Sequence, residues 1–108
     1  MDVFPKFIIE TDPEEGDCLI VAKCTYHKQI VTDLTKVKGG GWWSLDRDKN
    51  IFTLHGESSD FGRAEFENIK NCVERAKVFS NPSLFHNLVD DGFKFQYRNE
   101  CGEIFKLN

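Results

Sequence analysis

The chain alternates short apolar blocks with clusters of Asp, Asn, Gly and Pro, and the period inside each block indicates its secondary structure. β-Branched and aromatic residues fill Phe4 to Glu10 and again Cys18 to His27, which predicts two strands separated by the acidic, Pro-bearing stretch Asp12 to Asp17. The second begins apolar on both faces. Cys18, Ile20 and Ala22 point one way and Leu19 and Val21 the other, as in a central strand covered on two sides. Its second face turns polar at Lys23, Thr25 and His27. Lys28 to Lys38 mixes short apolar pairs with Asp33 and Thr35, and fits either a third strand or a crossing loop.

Trp42 to Leu45 and Ile51 to His55 read as a hairpin around the turn Asp46 to Asn50, where Asp and Asn side chains supply local backbone hydrogen bonds. On its second strand Phe52 and Leu54 share one face, and Ile51, Thr53 and His55 the other. Phe66, Ile69, Val73 and Ala76 recur every three or four residues and predict a helix over Ala64 to Val78. Glu65 and Glu67 in its first turn and Arg75 and Lys77 in its last complement the helix dipole. A helical turn follows at Leu84 to Val89. Gly92 to Arg98 then alternates, with Phe93, Phe95 and Tyr97 on one face, and Glu103 to Leu107 pairs with it as a final strand.

These elements predict an α/β protein in the broad sense (α+β), with a mixed or antiparallel sheet of about six strands and one main helix. A chain of 108 residues is one domain, 1–108, and 40% apolar residues with ten phenylalanines suffice for a core. The net charge of −4 and the scattered lysines and arginines argue against a nucleic-acid partner. Apolar runs stay far short of 18 residues, and Asp2, Lys6, Glu10 and Asp12 crowd the first segment. Neither a membrane span nor a signal peptide is expected, and the location is read as cytoplasmic. Cys18, Cys24, Cys72 and Cys101 lack metal spacing and read as free thiols, so no cofactor or metal is expected.

Two glycine clusters stand out. Gly39-Gly40-Gly41 would weaken any strand or helix, and such a run belongs where backbone bends tightly or approaches something closely. After the hairpin, Gly56 to Gly62 leads from a strand into a helix. Backbone amides, the helix N-terminus and the hydroxyls of Ser58 and Ser59 make this a natural place for a phosphate or carboxylate. The competing reading is a tight turn at Gly56 and Gly62, with a serine or Asp60 capping the helix.

Gly-Gly-Gly, fourteen residues from Trp42 to His55, and Gly56-Glu57-Ser58-Ser59-Asp60-Phe61-Gly62 entering a helix together resemble the Janus/Ocnus family of small phosphohistidine phosphatases, over about forty residues. The resemblance implies a mixed sheet flanked by helices and metal-free chemistry on phosphohistidine or model phosphate esters. Carried over, Gly56, Ser58, Ser59, Asp60 and Gly62 hold the phosphate, with Ser59 and Asp60 as amide donors. His27, the one histidine upstream of the glycines, becomes the nucleophile or acid–base group. The family's early basic residue falls near Cys18 or Leu19, and Lys23 is its substitute here. The partner implied is a phosphorylated protein or a small anionic ligand.

Other residues admit plainer roles. Imidazole chemistry suits His27 on general grounds, but a histidine ending a strand is also an ordinary surface residue. His55 serves an anion or packing, and His86, among Leu84, Phe85 and Leu88, is structural. Asp46, Asp48, Asn50 and Glu57 match several calcium-loop positions. Ile51 stands where that loop needs glycine, so the segment is read as a hairpin turn. Trp42 and Trp43 point to opposite faces, and either both are core or one lines a partner surface. A non-enzymatic module with a protein or small-molecule partner is thus the alternative to a phosphatase.

Overall fold

The computed structural model describes residues 3–81 and 92–108, so the helical turn expected at Leu84 to Val89 and His86 lie outside the described residues. Seven strands form one mixed sheet: β1 (Phe4–Asp12), β2 (Gly16–Cys24), β3 (Val37–Asp46), β4 (Ile51–His55), β5 (Val78–Asn81), β6 (Lys94–Arg98) and β7 (Ile104–Lys106). Their order is β5-β2-β1-β3-β4-β6-β7. The β2–β5 and β4–β6 pairs are parallel and the remaining pairs antiparallel. One α-helix, α1 (Phe66–Glu74), is found among the described residues, and no helix there is long and apolar enough to cross a membrane.

The predicted two-sided strand is present. Leu19 and Val21 of β2 join Phe7 and Ile9 of β1 in a core completed by Trp43, Phe52, Phe95 and the α1 residues Ile69, Cys72 and Val73. Fully burying a side chain such as Phe7, Phe52 or Ile69 stabilises the fold by about 1.5–3 kcal/mol. On the opposite face Ile8, Ala22 and Cys24 pack against Ile30. Burial also silences the thiols: Cys18, Cys24 and Cys72 are buried, and desolvation pushes the Cys72 thiol up to about 12.

Several boundaries differ from expectation, the largest for local reasons. β2 stops at Cys24, so His27 is not at a strand end but opens a 3-10 turn, His27–Ile30. Lys28 to Lys38 is mainly a crossing segment with a second such turn at Leu34–Lys36, and β3 starts at Val37. The Glu10 carboxylate anchors that segment by accepting from the Thr32 and Asp33 amides, at 2.8 and 3.3 Å, and from the Thr32 hydroxyl. The helix is shorter than its periodicity suggested. Ala76 takes a left-handed conformation, φ +56°, that ends it, and Val78 becomes the first residue of β5. Lys77 therefore leaves the helix and pairs with Glu15.

The Asp46–Asn50 segment is a hairpin turn, with the Asp46 carboxylate accepting from the Asp48 and Lys49 amides. The glycine triplet lies inside β3. One extra β3 residue opposes β1 between the Ile8–Gly40 and Glu10–Val37 pairs, a bulge at which Gly39 has φ +120°. A Cβ on Gly40 would sit 2.5 Å from the Phe7 carbonyl oxygen, and one on Gly41 2.5 Å from that of His55. Both obstacles are backbone and cannot swing aside. Gly40→Ala should therefore destabilise the protein by about 2–3 kcal/mol in urea unfolding. Gly102→Ala, at φ +84° with open space around it, should cost only about 1 kcal/mol. Equal costs would contradict this account of the triplet.

Candidate functional site

Beyond its Trp42–His55 pair, β3 changes partners. β4 departs through Gly56, and the 56–62 loop folds back to take its place. The Gly40 amide donates to the Gly62 carbonyl at 3.0 Å, and the Ser58 amide donates to the Gly40 carbonyl at 3.1 Å. The loop is thus stitched to the glycine triplet. On the same strip of backbone lies the His27 imidazole, which a Cβ on Gly40 would approach to 3.2 Å. His27 and the Ser58 loop, 31 positions apart, converge on Gly40 and Gly41.

His27 is 2% exposed, and its Nε2 lies 2.7 Å from the Gly41 carbonyl oxygen. A carbonyl only accepts, so Nε2 carries the proton and, in the neutral ring, Nδ1 holds the lone pair. The ring meets Trp42 edge-on at 6.0 Å between centroids. The position follows from the local sequence: Gln29 closes the turn by accepting from the Tyr26 amide, and Ile30 plugs the core beneath. Burial, seconded by the Lys6 ammonium, holds His27 below its usual value, against the opposing pull of the Gly41 carbonyl and the Asp60 carboxylate.

Lys6 is the member of this cluster that the sequence analysis did not single out. It projects from β1 opposite Trp42, is buried, and places Nζ 4.0 Å from the centroid of a Trp42 ring. Lys23 does not join it. Alternation along β2 puts Lys23 with Leu19 and Val21 on the α1 face, where it borders a concavity with Trp43 and Arg47. The expectation that Lys23 shares a face with His27 assumed that the strand continued to residue 27. The chain instead crosses to the other side after Cys24.

Within the loop the roles also differ from expectation. Ser58 is buried, and its Oγ accepts from the Asp60 and Phe61 amides, both at 3.2 Å. The Asp60 amide is therefore engaged inside the loop, and the Ser58 O–H proton is the part of that hydroxyl these bonds leave over. No hydrogen bond among the described residues engages the Ser59 amide. Gly56 and Gly62, φ +73° and +76°, supply the left-handed corners, and Gly56 also lets the Trp42 ring lie against the backbone. Arg63, beside the loop, pairs with Glu100 at 2.9 Å.

Trp42 and Trp43 divide as one half-buried and one core ring: Trp43 is buried and donates to the Lys6 and Ala22 carbonyls, while Trp42 packs with Lys6 and His27 on the opposite face. His55, also half-buried, faces the same side, and burial followed by the Arg98 charge lowers its pKa. The site is therefore an imidazole with a fixed tautomer, an ammonium, an indole and a serine loop. Comparison of the chain with protein-family models, curated proteins and solved structures yields no match.

The pKa direction has a sign that can be tested. His27 stays neutral in the folded protein at a pH where the unfolded chain, near pH 6.5, begins to bind protons. Its contribution to stability is complete above that pH and is lost as pH falls through the lowered folded value. His55 acts in the same direction. Unfolding at pH 7.5 should thus require more urea than at pH 5.5, and His27→Gln should reduce the difference. An NMR titration placing the His27 midpoint at or above 6.5 would contradict it.

Proposed function

We propose that this chain is a phosphohistidine-phosphatase-like domain that receives a phosphoryl group between His27, Lys6 and the 56–62 loop. The observation that carries the reading is the convergence of His27 and the serine loop on Gly40 and Gly41. The substrate class is phosphohistidine or a related phosphoramidate on a protein or small molecule.

The chain's own groups supply the chemistry of this reading without a metal. The lone pair on His27 Nδ1 attacks phosphorus, a bond forms from Nδ1 to phosphorus, and the donor's phosphorus–nitrogen bond breaks. The departing imidazole takes the electron pair and a proton from water, leaving a hydroxide that takes up the proton released by the water of the second step. Water then attacks phosphorus, the bond to Nδ1 breaks, and orthophosphate leaves while the histidine recovers its lone pair. In the acid–base variant the same nitrogen takes the proton of the attacking water. The Gly41 carbonyl keeps the proton on Nε2 throughout. Lys6, the Ser59 amide and the Ser58 hydroxyl proton face the charge on the phosphoryl oxygens.

Two observations favour a second reading, a binding module that holds an anionic group without turning it over. Ser58 Oγ already satisfies two loop amides, and the Asp60 carboxylate acts electrostatically on His27. Both features oppose a doubly charged phosphate more than a singly charged phosphoramidate ester or a carboxylate. Turnover separates the two. Hydrolysis of a phosphohistidine peptide should fall at least about 100-fold in His27→Gln, and Lys6→Met should mainly raise KM. Unchanged turnover in His27→Gln would remove this residue from the chemistry. Binding without turnover in the unaltered protein would leave the module.

A further inference from the structure

Register lines up one residue from each of four adjacent strands in a row across the sheet: Lys6 opposite Trp42, Trp42 opposite His55, and His55 opposite Arg98. Opposed residues on neighbouring strands project from the same face, so the whole row lies on the side that holds His27. At about 4.8 Å per strand, Trp42 and Arg98 stand about 10 Å apart. Lys6 and Trp42 border the proposed phosphoryl site, whereas His55 and Arg98 lie beyond it. Arg98 is exposed, and no carboxylate pairs with it among the described residues.

The row therefore sets a cation at each end and an indole and an imidazole between them, on a chain whose net charge is −4. A local cationic strip on an acidic protein attracts a short anionic segment, while the surrounding charge repels a long polyanion such as nucleic acid. Trp42 offers a flat apolar rest for the backbone or a side chain between the two charges. An extended peptide advances about 3.3 Å per residue with side chains on one face every second residue, so about 10 Å corresponds to two to four residues.

We infer that the row from Trp42 to Arg98 is a docking track for an extended acidic peptide, whose phosphoryl-bearing residue sits at the His27 end and whose carboxylate, two to four residues away, pairs with Arg98. This substrate class rests on the phosphoryl-site reading above, and the test keeps the two apart. The probe is a peptide with a phosphonate mimic of phosphohistidine at its centre and Glu at the second and fourth positions on either side, compared with its Gln counterpart by titration calorimetry. The Glu peptide should bind about fivefold more tightly, the upper range for an exposed ion pair, with the advantage fading as salt rises.

That advantage should vanish in Arg98→Gln and return in Arg98→Lys, while the isolated mimic binds all three proteins equally. If the isolated mimic fails to bind but the unphosphorylated Glu peptide still binds through Arg98, the track stands and the phosphoryl reading falls. Equal affinity for the Glu and Gln peptides would overturn the track, as would an advantage that survives Arg98→Gln. Preference for a single-stranded oligonucleotide over the acidic peptide would overturn it too.

Discussion

Close backbone approach at Gly39, Gly40 and Gly41 is the constraint on which the rest of the structure depends. A Cβ at any of the three would come within 2.7 Å of backbone atoms, on β1, at the end of β4, or in the Arg63–Ala64 segment that leads into α1. Without those side chains, β1, the 56–62 loop and the His27 ring all reach the same strip of β3. The bulge at Gly39 bends that strip, and the loop then replaces β4 as its hydrogen-bonding partner. Three residues that weaken a strand in isolation thereby join elements far apart in sequence.

The two faces of the sheet divide the work. On one, α1 and the phenylalanine-rich strands form the main apolar core. On the other, the crossing segment tied down by Glu10 covers only part of the sheet, through Ile30 and His27. The polar groups of the candidate site gather along this second face: Lys6 beneath Trp42, His27 on the glycines, and Ser58 in the loop. Burial does two things to His27. It keeps the imidazole neutral and, through Gly41, assigns the proton to Nε2, so the nitrogen with the free pair is decided before any ligand arrives.

Much of this was legible in the sequence wherever one physical cause dominated. Period-two alternation marked β6, apolar residues on both faces marked β2, and the Asp-rich hairpin turn and the opposed tryptophans followed from local geometry. The glycines signalled close approach, though not that they would sit inside a strand. What failed was continuation. His27 was placed on the strand that ends three residues before it, and that error grouped it with Lys23, which keeps its predicted place beside Leu19 and Val21 on the opposite face. Helical periodicity likewise ran past Ala76, since a positive φ at a non-glycine residue leaves no mark in the pattern. Lys6 did leave a signal. With Glu10 it interrupts an otherwise apolar strand at positions sharing one face, and a charged residue in a buried strand asks for a partner.

Shared use of the glycine strip by His27 and the serine loop is tested by an amide-shift titration with a non-hydrolysable phosphohistidine mimic. The account predicts saturable shifts that share one binding constant at Gly40, Gly41, Ser59 and the His27 ring, with smaller changes at Lys6. Shifts confined to other parts of the sheet, or none at millimolar mimic, would contradict it.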